Sequence, residues 1–161
     1  KMGYPIFVGV RGLSLTDVAG QVSTYVNSLN DETPVDIALR VPVHVAKTTS
    51  EALSNAEDSF MKQFRRLGTS LNSSTKQNTS DSTEGRRERS TELATIKWED
   101  IQGEKVAVGD PETVASQLGR MAKELKLTSI IAEFNAGELI SKEKVKESLK
   151  LFCKEVIPNF N

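Results

Sequence analysis

The chain has 161 residues, with 21 basic and 22 acidic side chains and a formal net charge of −1. This length suits one globular domain, residues 1–161, that buries a core of its own. The near-neutral charge argues against a nucleic-acid or membrane surface, because either would need clustered lysines and arginines. No apolar run reaches the roughly 18 residues of a membrane span.

A single cysteine, Cys153, rules out an internal disulfide and suits a reducing compartment, so we expect a cytoplasmic protein. Cys153 lies in an apolar helical pattern, which predicts a buried structural thiol rather than a nucleophile. The chain has one histidine and one cysteine, so its sequence offers no paired ligand spacing for a metal ion.

The first predicted strand is the short apolar run at residues 5–10, which glycines close. Ser14 or Thr16 can cap the helix that follows, in which apolar residues recur at helical spacing up to Leu29. Residues 35–46 are rich in β-branched side chains and predict the second strand, with Pro42 marking an irregularity.

A second helix is predicted from Ser50, with an apolar face that ends at Gly68. Residues 69–95 are then dominated by serine, threonine, asparagine and charged side chains. So few apolar residues cannot offset an ordering entropy of about 1–2 kcal/mol per residue. We therefore predict a long, polar, mobile loop at 69–95.

The next helix has a strong start signal, in which Asp110 serves as the cap and Pro111 takes the first helical position. Residues 128–134 predict the third strand, and Ser141 caps a final helix that Pro158 stops. Strands that alternate with helices indicate an α/β fold with a parallel sheet. Three strands are too few to close a barrel, so the sequence has the pattern of a part of one.

The order and spacing of several sequence blocks resemble the bacterial-luciferase-like flavin monooxygenase family. One block is a glycine, an apolar residue, a proline and an apolar run, followed later by a tyrosine, and another is a "VA-x-T-x-x-E-A" element. The most specific block is a valine-glycine-aspartate-proline-glutamate helix start, where threonine is commoner than aspartate. A closing helix ends the pattern. In the order given, the four blocks lie at residues 2–9 with Tyr25, at 43–52, at 108–118 and at 151–158.

This resemblance implies the C-terminal portion of a (β/α)8 TIM-type barrel, namely strands six to eight with their helices. It implies reduced FMN from a separate flavin reductase, O2, and a small organic substrate that receives one oxygen atom. Two alternatives stay open: a deazaflavin-dependent oxidoreductase of the same superfamily, and a noncatalytic flavin-binding or structural barrel fragment. The earlier strands carry most flavin contacts in the family, so we expect the isolated chain to bind FMN poorly or not at all. Exposed strand edges and an exposed apolar inner face predict aggregation of the chain made alone or its self-association, for example as a homo-oligomer.

Ligands of such barrels sit at the C-terminal ends of the strands, which selects a short set of candidate residues. Arg11 and Gly12 follow the first strand and are the predicted cofactor contacts, since a guanidinium there can pair with a phosphate or an anionic substrate. The alternative is a solvated arginine in a glycine-flanked loop. His44, near the end of the second strand, is the candidate catalytic residue that would orient the flavin ring or the substrate. The alternative is a structural histidine beneath a helix.

Glu133 and Asn135 end the third strand and are the predicted substrate contacts. Strand alternation would place both on one face, at the mouth or in the interior of the barrel. A buried ion pair is the competing explanation. The resemblance also suggests that the segment 69–95 is a lid that excludes water from the flavin, whereas the alternative is a simple surface insertion.

Overall fold

The computed structural model describes residues 4–10, 12–30, 34–75 and 84–160. Short parallel strands alternate with helices, as the sequence predicts, and the last helix continues into a π-helical turn at Phe152–Val156 and a 3-10 turn at Ile157–Phe160. The strands are β1 (Ile6–Val8), β2 (Ile37–Val45), β3 (Ala107–Gly109) and β4 (Ser129–Phe134). The helices are α1 (Leu15–Ser28), α2 (Thr49–Thr75), α3 (Glu84–Thr95), α4 (Trp98–Ile101), α5 (Pro111–Leu125) and α6 (Lys142–Leu151).

Strand β2 is the centre of the sheet and pairs in parallel with all three other strands. Strands β1 and β3 share one edge of β2, because β1 pairs with its first three residues and β3 with its last three. The other edge pairs with β4, from Ala38 opposite Ser129 to Val43 opposite Phe134. The predicted parallel arrangement of the three apolar segments is therefore confirmed, and β3 is an additional strand that the sequence pattern did not identify.

The described residues form two hydrophobic clusters. In the sheet–helix core, alternate residues of β2 from Ile37 to Val45 are buried with apolar residues of α1 and α5. In the hairpin core, Phe60 and Phe64 of α2 are buried with Leu93 of α3 and with Trp98 and Ile101 of α4. The sheet–helix core is thus built on alternating residues of β2, and the hairpin core on residues at helical spacing in α2.

The predicted helix caps are present. Ser14 and Asp17 form a reciprocal capping box at α1. Asp110 accepts a hydrogen bond from the backbone N–H of Thr113 at 2.9 Å, with Pro111 at the start of α5 as predicted. Thr49, at the start of α2, donates its hydroxyl to Asp110 at 2.8 Å. This contact ties the start of α2 to the start of α5.

The prediction of a loop at 69–95 is wrong for the described residues of that segment. Helix α2 continues past Gly68 to Thr75, and α3 occupies Glu84–Thr95. The two helices approach closely at Gly68, where an added Cβ would lie 3.3 Å from Cβ of Leu93. The hydroxyl of Ser90 also donates to the Gly68 carbonyl at 3.0 Å. One buried leucine and one glycine contact therefore anchor a segment whose composition is almost wholly polar.

The prediction of a buried thiol is also wrong, because Cys153 is exposed. It lies in the π-helical turn, where the wider hydrogen-bonding pattern rotates side chains relative to the α-helical register used for the prediction. In the part of the chain that the structure describes, the longest apolar stretches of the helices fall short of what a bilayer crossing requires.

Candidate functional site

One face of the sheet packs on helices, and the opposite face carries the even-numbered residues of β2. Strand pairing brings Phe7 next to Ala38 and Ile131 next to Arg40 on this second face. Phe7 is 69% exposed and Ile131 is 46% exposed. We call the set Phe7, Ala38, Arg40, Ile131 and Glu133 the open sheet face.

An ion pair crosses the open sheet face. Nη2 of Arg40 lies 2.9 Å from Oε1 of Glu133, and both side chains keep some exposure. Glu133 therefore sits on a strand face near the end of β4, as predicted, but its ion pair is partly exposed and is not the buried pair of the competing explanation. Its role as a substrate contact remains a prediction. Arg40 was not among the predicted site residues, although its even position in β2 is the signal that places it on the same face as His44.

His44 lies at the C-terminal end of this face and is 1% exposed. Among the described residues, its Nε2 has no hydrogen-bond partner. Burial lowers the pKa of His44 to about 4, and the positive charge of Lys144 adds to this effect. The imidazole is therefore neutral at pH 7, so it can donate or accept one hydrogen bond at Nε2 without carrying charge.

A cleft of about 830 Å³ opens beside His44, and we call it the His44 cleft. Its walls are the end of β2, the first turns of α2, and α6 with the π-helical turn. Helix α6 is fixed to β2 where the backbone N–H of Val45 donates to the buried hydroxyl of Ser148 at 2.8 Å. Nζ of Lys144 donates to Oδ1 of Asn55 at 2.5 Å and connects the two helical walls.

Asn135 does not share a strand face with Glu133, because β4 ends at Phe134. Asn135 has a φ of 56°, in the left-handed region. Its Oδ1 accepts from the backbone N–H of Ile140 at 2.8 Å and from the hydroxyl of Ser59 at 3.2 Å, and its Nδ2 donates to the Ile140 carbonyl at 3.0 Å. These bonds make Asn135 a support of the β4–α6 loop, and its predicted role as a substrate contact remains a prediction.

Arg11 lies outside the described residues, so its predicted cofactor contact stays a prediction. Gly12 is in the loop between β1 and α1, on the α3 side of the molecule, where an added Cβ would lie 3.9 Å from Cδ of Arg89. Lys105 holds this loop by donating to the Val10 and Leu13 carbonyls at 3.3 and 2.7 Å. Lys105 is buried, and its burial lowers its pKa. Its sequence position in a charged turn gave no signal of this role.

The structure thus brings two of the predicted site residues to one face, Glu133 at the open part and His44 at the buried end. Gly12 and Asn135 lie in loops that bond to other parts of the chain, at Lys105 and at Ser59 of α2 respectively. Across the described residues, no group of three or more histidine, cysteine, aspartate or glutamate side chains is arranged to hold a metal ion.

No family model matches the chain, and no curated protein matches it. Two solved structures are similar in fold. Apo-MsnO8 aligns with 93% of the chain at 18% identity and a TM-score of 0.52. Riboflavin lyase RcaE, solved with modified FMN and its substrate riboflavin, aligns with 97% of the chain at 18% identity and a TM-score of 0.54.

The chain spans 46% of the length of the MsnO8 structure and 38% of the RcaE structure. At this identity the likeness establishes architecture alone. The mixed α/β arrangement, the parallel sheet and these TIM-barrel neighbours agree: the chain has the fold of a partial (β/α)8 barrel.

Proposed function

We propose that the chain is part of a luciferase-like, flavin-dependent monooxygenase that uses reduced FMN and O2 to oxidise a small organic substrate. The observation that carries this proposal is the fold likeness over 97% of the chain to a structure that contains a modified FMN. A separate flavin reductase would supply the reduced cofactor. When bound, reduced FMN supplies the electrons that activate O2, while the protein binds, orients and shields the reactants.

The open sheet face supports the proposal because its chemistry fits a flavin ring. An isoalloxazine ring has flat apolar faces and a polar edge, and binding sites for such ligands are mostly apolar with a few placed polar groups. Phe7 on β1 and Ile131 on β4 supply exposed apolar surface, and the Arg40–Glu133 pair joins β2 to β4 beside Ile131. In the proposed role, Arg40 donates hydrogen bonds to the polar edge of the ring and Glu133 orients Arg40.

A titration of the chain with oxidised FMN, followed by amide chemical shifts, tests this assignment. Because the chain spans less than half of either neighbour, we expect weak binding, with a dissociation constant of about 0.1–1 mM. The shifts should concentrate at Phe7, Arg40 and Ile131. Shifts spread over the helical side of the sheet, or none at millimolar FMN, would contradict the proposal.

A matched pair of arginine substitutions sharpens the experiment. Arg40→Ala should remove most of the FMN-induced shifts on the open sheet face. Arg120→Ala is the control, because Arg120 is similarly exposed and pairs with Glu104 at 3.2 Å in another part of the molecule. Equal losses in the two variants would argue for nonspecific attraction. Tighter binding of a deazaflavin than of FMN would favour the deazaflavin-dependent alternative.

A further inference from the structure

A groove along the contact between α2 and α3 is a further candidate binding site, separate from the open sheet face and from the His44 cleft. Two shallow depressions of about 460 and 300 Å³ form it, and Arg65 and Thr69 line both. Helix α3 contributes Ser90, where its hydroxyl bonds to α2. We call the surface formed by Lys62, Arg65, Arg66, Thr69, Asn72 and Ser90 the basic groove.

The basic groove has an excess of positive charge. Lys62, Arg65 and Arg66 follow one another at helical spacing, so their side chains are neighbours, and no described residue that lines the two depressions is acidic. Nη1 of Arg66 lies 3.9 Å from Oε2 of Glu138, but both side chains are largely exposed, so solvent weakens this pair. Lys62 and Arg65 take part in no ion pair with the other described residues. The groove is therefore cationic, although the chain has a net charge of −1.

The surroundings of these cations disfavour a nucleic acid or a membrane as the partner. A DNA-binding surface neutralises several phosphates, often about 6–10, and the groove supplies fewer cations than that. A membrane-surface helix combines its basic residues with an exposed apolar face. The apolar residues of α2, such as Phe60 and Phe64, are buried in the hairpin core, and the exposed residues after the cations, Thr69 and Ser70, are polar.

We propose that the basic groove docks an acidic, extended segment of a partner protein. Its carboxylates pair with Lys62, Arg65 and Arg66, since a guanidinium can bind a carboxylate through two parallel hydrogen bonds. From Lys62 to Asn72 the helix rises about 15 Å, which accommodates about four or five extended residues. The Thr69 hydroxyl donates to the Arg65 carbonyl at 3.1 Å and keeps the capacity to accept a hydrogen bond from a peptide N–H. The proposal does not depend on the flavin function, because helices form this groove and strands form the open sheet face.

A titration of the chain with a hexaglutamate peptide, followed by amide chemical shifts, tests the proposal. A hexaglutamine peptide of the same length is the uncharged control. We expect saturable shifts that concentrate between Lys62 and Asn72, with a dissociation constant of about 0.1–1 mM at low ionic strength. Added salt should weaken this binding, because it screens exposed charges. Shifts centred on the lysines of α6, equal binding of the two peptides, or no saturable shift would overturn the proposal.

Three arginine substitutions separate a docking groove from general electrostatic attraction. Arg65→Ala should weaken hexaglutamate binding about fivefold, and the fold should tolerate it because Arg65 is exposed. Arg65→Lys should have an intermediate effect, since it keeps the charge but loses the paired hydrogen bonds. Arg120→Ala is the matched control, because Arg120 lies on α5 and pairs with Glu104. Loss of affinity only with the Arg65 substitutions supports the proposal, whereas equal effects of Arg65→Ala and Arg120→Ala would overturn it.

Two further probes distinguish the class of partner. An oligothymidylate with the same net charge as hexaglutamate represents a nucleic acid, and phosphatidylglycerol vesicles represent an anionic membrane. We expect both to bind more weakly than the peptide, because the groove has few cations and no exposed apolar flank. Tighter binding of the oligonucleotide or of the vesicles that Arg65→Ala abolishes would assign the groove to that class instead and contradict a protein partner.

Discussion

The hydroxyl of Thr49 lies 2.8 Å from Oδ2 of Asp110 and also accepts a hydrogen bond from the Asp110 backbone N–H at 3.2 Å. Thr49 is the first residue of α2, and Asp110 is the N-cap of α5. Helices α3 and α4, which belong to the hairpin core, lie between them in the sequence. Hydrogen bonds from the Thr113 backbone, and next from Thr49, lower the pKa of Asp110 below its usual value of 3.8. These hydrogen bonds therefore link the N-terminal ends of α2 and α5 through the ionised carboxylate of Asp110.

Removing the Thr49 hydroxyl should weaken this link between α2 and α5. We expect Thr49→Val to lower the free energy of unfolding by about 1 kcal/mol, measured by urea denaturation at pH 7. Thr24→Val is the control, because the Thr24 hydroxyl bonds only to the Gly20 carbonyl of its own helix, at 3.1 Å. The folded pKa of Asp110 is depressed, so its contribution is complete above pH 3.8 and is lost as the pH falls below it. Equal effects of the two substitutions would contradict this role.

The pKa of His44 predicts a pH dependence in a different range. Its folded value of about 4 lies below the usual 6.5, so the unfolded chain binds a proton between these values and the folded chain does not. Stability should thus be complete above pH 6.5 and fall by about 3 kcal/mol, as an upper value, on going to pH 4. His44→Gln should lack this component in unfolding curves at pH 7, 5.5 and 4.5. Parallel curves for the two proteins would contradict it.

Two glycine-to-alanine substitutions should have opposite effects. A Cβ on Gly137 would overlap the Ser59 carbonyl, so Gly137→Ala should force the β4–α6 loop away from α2 and cost about 2–4 kcal/mol. A Cβ on Gly20, inside α1, would meet no atom within 4 Å. Gly20→Ala should therefore stabilise the chain by about 0.5–1 kcal/mol. Thermal unfolding of both variants tests the pair, and a tolerated Gly137→Ala would be the contrary result.

The buried hydroxyl of Ser148 should contribute more to the stability of the fold than its small size suggests. Ser148→Ala leaves the backbone N–H of Val45 without its 2.8 Å acceptor, at a cost of about 1–3 kcal/mol. Ser28→Ala is an exposed control whose hydroxyl bonds to the Tyr25 carbonyl of the same helix. Hydrogen exchange of the Val45 amide gives a local readout, because we expect faster exchange only in Ser148→Ala. Unchanged protection of Val45 would mean that another group accepts this hydrogen bond.

The open sheet face should promote self-association of the chain, since Phe7 and Ile131 are large, apolar and exposed. Replacing both by serine should shift the population towards monomer in sedimentation velocity at micromolar concentrations. Leu149→Ser is a matched control, because Leu149 is equally an exposed leucine-sized residue but belongs to α6. A wild-type chain that is already a monodisperse monomer would contradict the prediction.

The sequence predicted those parts of the fold that depend on local signals. The apolar run at 35–46 and the Asp110–Pro111 helix start needed no long-range information, and both are present. Helix α3 depends instead on a distant contact between Leu93 and Gly68, which composition does not reveal. Strand β3, with only three residues, exists because it pairs with the end of β2.

The candidate site was predicted only in part, because the sequence reveals local patterns such as strand alternation but not contacts between distant residues. Strand alternation correctly placed Glu133 on a strand face, but it failed for Asn135, because the left-handed turn at that residue ends the alternation. The partner of Glu133, Arg40, is 93 positions away in sequence, and strand pairing alone brings the two together. The wall that α6 contributes to the His44 cleft likewise depends on tertiary packing, which the spacing of residues cannot supply.

The chain has one tryptophan, and Trp98 is 8% exposed within the hairpin core, not in the sheet–helix core. Its fluorescence emission is consequently an optical reporter of one cluster alone, whereas far-ultraviolet circular dichroism averages over both. Superimposable melting curves from the two signals would identify a single cooperative unit, and an earlier red shift of the indole would identify α2, α3 and α4 as a subdomain that opens first.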